Sequence, residues 1–376
     1  MQSTGVAITG TGIHHPSDVL TNEELCESFN RFVALYNDTN AAAIAAGECE
    51  AKSESSPEFI IKASGIVNRY IVDKAGVLDI ERMFPRIPDR PDAELSLQAE
   101  WAVEAAKGAL AEAKLAGEDI DMVVLASSNL QRMYPSIAME VQHHIGAKGF
   151  AYDVVVGCSS VTFTIQSIAD ALRAGSARRA LLVNPEVMSG HANFTDRDSH
   201  FIFGDAATAM VIERVEETKS DHVWEILGSR LLSSFSSNIR NNFGFLNRCD
   251  TEKQFAPDKL FYQQGRRVFK DIVPLASKFI RSHVEDCGLQ VEAVDRYWLH
   301  QANLNMNQLI AKKLIGDAGL DRKRAPTVLD TYGNTASCGS ILAFHHNSRD
   351  LDPGAHGILC SFGAGYSIGS VAIRRA

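Results

Sequence analysis

The chain has 376 residues, of which 45% are hydrophobic and 22% charged, and its formal net charge is −9. That composition fits a soluble globular protein, and the length suits two to three domain-sized units or one large fold built from two similar halves. The acidic balance argues against nucleic acid as the main ligand, although a local basic patch can still take a phosphate or an acidic carrier. Seven cysteines, odd in number and without C-x-x-C spacing, read as free thiols in a reducing compartment. The opening apolar run at residues 6–8 is too short for a signal peptide, and no stretch approaches the roughly 18 apolar residues of a membrane span. A cytoplasmic protein with no membrane segment is expected.

Short apolar runs alternate with longer amphipathic ones, the pattern of an α/β fold. Strands are predicted over residues 6–9, 122–126, 154–156, 180–183, 207–212, 297–299, 327–329, 357–361 and 370–373. Helices are predicted over 21–36, 94–116, 136–145, 159–174, 265–287, 305–315 and 338–349. Thr21 and Glu24 form a capping box at the start of the first. In the helix after Cys158, the residues Val161, Ile165, Ile168, Ala169 and Leu172 fall at helical spacing. Residues 37–57, rich in Ala, Ser and Glu, read as an insertion or mobile excursion, and 233–259 reads as irregular.

An internal repeat organises the chain. Ile120-Asp121 is followed by Leu125 and Asn129, and Val294-Asp295 by Leu299 and Asn303, at identical offsets. Each copy then reaches a strand followed by a helix, one through Gly157-Cys158 and the other through Gly333-Asn334. Each closes on Phe-Gly, Phe203-Gly204-Asp205 in one and Phe362-Gly363-Ala364 in the other. The expected organisation is two related halves, 1–215 carrying Cys158 and 216–376 carrying His300 and Asn334. A pseudo-twofold axis would bring Cys158 and Asn334 together across 176 positions of sequence.

Cys158 follows a buried-looking strand and starts a helix, where the positive end of the dipole favours thiolate. Its plainer reading is a small buried hydrophobe. His300, in His300-Gln301-Ala302-Asn303, directly follows a strand, where α/β proteins place their sites; the alternative is a helix cap. Asn334, in Tyr332-Gly333-Asn334-Thr335, reads alone as a turn, but it fills the slot that Cys158 fills in the first half. Phe362-Gly363-Ala364-Gly365 is a small-residue loop whose backbone can approach a ligand oxygen. Gly10-Thr11-Gly12 lacks the third glycine of a dinucleotide fingerprint, and the neighbours His143-His144 and His345-His346 cannot face one metal.

These segments, with Phe203-Gly204-Asp205-Ala206-Ala207, resemble those of β-ketoacyl-acyl-carrier-protein synthase III over nearly the whole chain. The resemblance implies a thiolase-type five-layer αβαβα fold, a homodimer and a Cys158-His300-Asn334 triad. It implies that acyl-CoA primes Cys158 and that the backbone N–H groups of Cys158 and Ala364 hold the oxyanion. Malonyl-acyl carrier protein then condenses with loss of CO₂, its thioester carbonyl held by His300 and Asn334. No metal or cofactor is implied, the CoA thioester being a substrate. Phe59, Arg197, Phe203, Asn303 and Phe362 take substrate-binding positions, and Tyr134 matches a residue that closes the partner subunit's acyl pocket.

The chain departs from the pattern at the CoA entrance, where Phe59 stands for Trp, and Ala63 and Asn305 each replace an Arg. Lys312 and Lys313 are expected to compensate in part. With Tyr134 and the 37–57 insertion, these changes suggest a medium-length acyl donor. A degradative thiolase would need a second cysteine, but the matching position is Ser361 and not Cys360. Hydroxymethylglutaryl-CoA synthase and plant-type polyketide synthases would need residues that cannot be placed here. Two rivals remain: an acyltransferase of the same fold with an O, N or S acceptor, and a catalytically silent scaffold subunit.

Overall fold

The computed structural model describes residues 4–376. Among them, nine strands join one hydrogen-bonded sheet: β1 (Val6–His14), β2 (Met122–Ala126), β3 (Phe150–Val154), β4 (Arg179–Glu186), β5 (Ala206–Arg214), β6 (Trp224–Ser236), β7 (Arg296–Leu299), β8 (His356–Gly363) and β9 (Gly365–Arg375). Their order is β7-β8-β9-β6-β1-β5-β4-β2-β3. Outward from the middle, the two arms share one plan. In the first arm β1, β5 and β4 are successively antiparallel and β4 runs parallel to β2. In the second, β6, β9 and β8 are antiparallel and β8 runs parallel to β7. The arms meet at two residue pairs, Ala7–Glu225 and Ile8–Trp224.

The main helices are α1 (Asn22–Thr39), α2 (Leu97–Ala113), α3 (Ser160–Ala174), α4 (Gly265–Asp286), α5 (Leu304–Ile315) and α6 (Gly339–His346). Side-chain alternation along the strands sorts the core into layers, because neighbouring residues face opposite sides of a sheet. Val124 and Leu182 of one arm, and Leu359 and Val371 of the other, pack on Ile165 and Ile168 of α3 and Phe344 of α6. On the far face of the first arm, Val123 and Leu181 pack on Ala102, Ala105 and Ala109 of α2. On the far face of the second, Leu299 and Ile358 pack on Ile272 and Ile280 of α4 and Ile310 of α5. Helix, sheet, helix, sheet, helix is the five-layer αβαβα arrangement that the resemblance implied.

Gly10 and Gly12, set aside as a dinucleotide motif, have a packing role. A Cβ on Gly10 would lie 2.1 Å from the Ala109 carbonyl oxygen of α2, and one on Gly12 2.0 Å from that of Ala105. The glycines let α2 rest its backbone directly on β1.

Several elements differ from expectation. Residues 327–329 form no strand: Thr327 and Val328 are β-branched or apolar like a strand, but the Gln301 side chain accepts from Val328 N and Thr327 Oγ1. The chain then turns into the short helix Leu329–Tyr332. The excursion at 37–57 is tied down. α1 continues to Thr39, the Asn37 side chain bonds both N and O of Lys52, and the Asn30 side chain does the same to Ser55. The first part of the region read as irregular, 233–259, belongs to β6. The strand expected at 154–156 ends at Val154 as β3.

Candidate active site

Three loops at the strand ends converge on one cavity. The first precedes α3. Gly157 turns there at φ +60°, and the Ser160 hydroxyl accepts from Val156 N at 2.8 Å, which leaves Cys158 just ahead of the N-cap Ser159. The second follows β7, where His300 N donates to the Cys360 carbonyl at 2.7 Å. The third is anchored by Asn334, whose N–H donates to Ile202 O at 2.9 Å and whose carbonyl accepts from Gly204 N at 3.2 Å. That close approach explains Phe203-Gly204-Asp205. A Cβ on Gly204 would lie 2.1 Å from the Tyr332 carbonyl oxygen. Asp205 holds Ser189 and Val72, and Phe203 faces the cavity.

Cys158, His300 and Asn334 all line this cavity of about 870 Å³, together with Phe59, Ala63, Phe203, Phe261, Asn303, Phe362 and Gly363. Gly363 presses against the sulfur: a Cβ there would lie 2.6 Å from Cys158 Cβ and 3.0 Å from its Sγ. The backbone N–H groups of Ala364 and of Cys158 itself point at that sulfur. They are the pair that the resemblance named for the oxyanion.

The electrostatics correct one expectation. Cys158 opens to the cavity, but the protein packed around it desolvates the sulfur and the nearby Glu186 opposes a second negative charge. Together they push the thiol up to about 12, outweighing the helix dipole, so the resting group is a thiol and not a thiolate. Burial also pushes His300 down to about 4, so its imidazole is neutral at pH 7. Its Nδ1 is buried with no side-chain partner among the described residues, the Ala336 backbone lies near enough to favour the protonated ring, and the imidazole lines the cavity. Phe362 packs edge-on against the ring at 5.2 Å. The Asn334 Oδ1 accepts from Ala336 N at 3.0 Å, which leaves its amide N–H groups as donors. Because His300 is lowered, its imidazole resonances followed by NMR should show no titration near the ordinary histidine value of about 6.5. A His300 imidazole that titrates there would contradict a buried neutral ring.

The remaining predicted positions fall in several places. Phe59 lines the cavity mouth with the Arg197 guanidinium stacked 4.0 Å above its ring, and Arg197 also donates to Glu54 O. Asn303 lines the cavity, but its Oδ1 caps α5 through Met306 N and its Nδ2 donates to Ala63 O at 2.6 Å. Asn305 likewise donates to Lys62 O. Both asparagines thus tie α5 to the helix Pro57–Ser64. The expected compensation by lysines is not seen: Lys312 pairs with Asp317, and neither it nor Lys313 lines the cavity. Tyr134 is 86% exposed and belongs to a separate surface cleft. Cys360 points into the outer core with Ile358 and Phe362, whereas Ser361 faces Ser340 of α6.

The profile for the 3-oxoacyl-[acyl-carrier-protein (ACP)] synthase III C-terminal domain matches residues 284–375, and that for 3-oxoacyl-[ACP] synthase III matches 152–232. A β-ketodecanoyl-[acyl-carrier-protein] synthase of Pseudomonas aeruginosa is 54% identical over 350 residues, covering 93% of this chain and 99% of that protein. The chain belongs to the 3-oxoacyl-[acyl-carrier-protein] synthase III family. A β-ketoacyl-[acyl-carrier-protein] synthase III of Methylococcus capsulatus is 29% identical over 371 residues, covering 98% of both chains. The 3-oxoacyl-[acyl-carrier-protein] synthase III structure from Aquifex aeolicus has the same fold, with a TM-score of 0.76 at 24% identity, covering 98% of this chain and 100% of that one. The protein is a condensing enzyme of the acyltransferase class.

Sequence reasoning missed several residues of this synthase. Arg266 and Arg267, at the start of α4, are the two cationic residues lining the cavity among the described residues. They are exposed and form no ion pair among the described residues. Adjacent arginines opening a helix in an acidic chain were the available signal. Arg69 is fully buried and donates to Leu20 O, Asn22 Oδ1 and Phe201 O, bracing the segment that carries Phe203. Glu186 lies beneath the loops that hold Cys158 and Asn334. A lone charge at the end of an apolar run gives no hint of such roles.

Proposed function

We propose that this synthase loads a medium-chain acyl group from acyl-CoA onto Cys158 and condenses it with malonyl-acyl carrier protein. The observation that carries the reading is the convergence of Cys158, His300 and Asn334 on one cavity. The Cys158 sulfur attacks the acyl thioester, its proton leaves with CoA as the free thiol, and the N–H groups of Cys158 and Ala364 hold the oxyanion. The malonyl thioester then binds with its carbonyl oxygen facing His300 Nε2–H and the Asn334 amide. Loss of CO₂ leaves an enolate on that oxygen, where two fixed donors stabilise it. Its carbon attacks acyl-Cys158; the β-ketoacyl chain stays on the carrier, and the released sulfur takes a proton. The thioesters bring their own activation, so the route needs no metal or redox cofactor.

The donor length rests on the Pseudomonas relative's name: condensation adds an acetyl unit, so a β-ketodecanoyl product comes from an octanoyl donor. Arg266 and Arg267 at the mouth suit the phosphates of CoA and of the carrier's arm, with Phe59 placed to stack on a base. The same reading takes 1–215 and 216–376 as two related halves, which the matching strand plan of the two arms supports. It also takes the enzyme as a cytoplasmic homodimer. The unpaired edge strand β3, with exposed Phe150 and the exposed Met133, Tyr134 and Met139 elsewhere on the surface, supports a second copy. No helix among the described residues is long and apolar enough to cross a membrane.

Product analysis tests the reading. With octanoyl-CoA and malonyl-acyl carrier protein, the purified protein should form β-ketodecanoyl-acyl carrier protein and release one CO₂ for each product. Octanoyl transfer without CO₂ would instead identify an acyltransferase with another acceptor, and a clear preference for acetyl-CoA would overturn the donor assignment.

A further inference from the structure

Glu186 is the last residue of β4 and is fully buried, yet the chemistry above gives it no part. Its carboxylate joins loops from the two arms. On one side Oε1 accepts from Ser128 N and from Ser128 Oγ, each at 2.9 Å, and Oε2 accepts from Ser128 N at 3.1 Å and Ser127 Oγ at 3.3 Å. Ser127 follows β2, and its carbonyl accepts from Ser160 Oγ at 2.9 Å. That hydroxyl also holds Val156 N and Gly157 O, so the bonds run on to the turn that carries Cys158. On the other side Oε1 accepts from Ser337 N at 3.2 Å and from the Ser337 hydroxyl. Ser337 lies in the short helix Ala336–Cys338, whose first N–H fixes Asn334 Oδ1.

We infer that Glu186 is a positioning residue for the condensation, a single buried carboxyl that braces the Cys158 turn and the Asn334 loop against each other. It acts through Ser127, Ser128 and Ser337 and touches no reacting atom in this arrangement. The inference rests on the reading of Cys158 as nucleophile. Burial pushes the Glu186 carboxyl up to about 7, and its charge raises the thiols of Cys158 and Cys338, the titratable groups that face it. No cation pairs with Glu186 among the described residues, so ionisation of this brace is felt by the nucleophile.

Two full-length variants test the inference. Glu186→Ala leaves the Ser128 and Ser337 donors without their acceptor. It should condense about 10²-fold more slowly with KM little changed, the effect of a small misplacement of reacting groups. Glu186→Gln keeps both backbone donors on its amide oxygen and should recover about tenfold of that loss. Its Cys158 should be alkylated by iodoacetamide up to about tenfold faster than wild type above pH ~7, and equally fast below it, since one pK unit is tenfold. A folded Glu186→Ala protein with wild-type turnover, or a Glu186→Gln alkylation profile that overlays wild type, would overturn the assignment. If Glu186→Ala does not fold, the Glu186→Gln profile decides. A wild-type protein that takes no acyl group on Cys158 would sink the reading of the site itself, a distinct failure.

Discussion

The Cys158→Ala protein should take up no acyl group from any acyl-CoA, whereas His300→Ala should still be acylated but condense about 10²–10³-fold more slowly. The split follows from where each group faces the reaction. Cys158 lines the cavity with two backbone N–H groups aimed at its sulfur, so in the proposed reaction alanine there removes the acceptor for the acyl chain. His300 lies on the wall as a neutral donor. Loss of one preorganised donor to a developing oxyanion costs about 2.7–4 kcal/mol, and that charge develops only when malonyl decarboxylates. Intact-protein mass after acyl-CoA, and CO₂ release after malonyl thioester, separate the two steps. His300→Ala protein that condenses normally would remove the histidine from the mechanism.

The second large effect is expected at a residue with no functional group. Gly363→Ala places a methyl 2.6 Å from Cys158 Cβ and 3.0 Å from the sulfur, closer than packed atoms tolerate. Gly363 is held by its pairing with Ser367 of β9, beyond the Leu299–Cys360 pair where the β7 side ends, so relief is shared between this strand end and the Cys158 turn. Overpacking of this kind costs about 1–3 kcal/mol of stability, and a sulfur moved by about 1 Å loses on the order of 10²-fold in rate. The predicted protein is folded, with a lowered Tm and turnover reduced by that factor. Gly244→Ala serves as the control, since a Cβ there meets nothing and its φ of −173° suits any residue. Equal behaviour of the two variants would mean that the Gly363–Cys158 contact is not limiting.

What could be read from the sequence follows from what each signal encodes. Cys158, His300 and Asn334 were legible because each lies directly after a strand or tight turn, and because the repeat placed two of them in equivalent slots. The repeated offsets are a sequence property, and the proposal of two related halves is supported by the shared strand plan. The Thr21–Glu24 cap was legible for the same reason, being complete within four consecutive residues. Other features depend on contacts that span the fold. β6 starts buried at Trp224 but runs out to an exposed end at Phe235, so its pattern never settles into alternation. Residues 327–329 have strand composition, yet Gln301 captures their backbone first. Asn30 and Asn37 pin a segment whose composition reads as mobile. Gly10 and Gly12 make sense only with α2 in view, and Glu186 only with both arms in place. The thiol was misjudged because the helix dipole is a local term, while desolvation depends on the whole site.

The most direct test is peptide-level mass spectrometry of the wild-type protein after octanoyl-CoA, followed by a chase with malonyl-acyl carrier protein. The account predicts an octanoyl adduct on the peptide that contains Cys158, discharged in the chase as CO₂ and β-ketodecanoyl-carrier product appear. An adduct on a different residue, or one on Cys158 that the chase leaves in place, would contradict it.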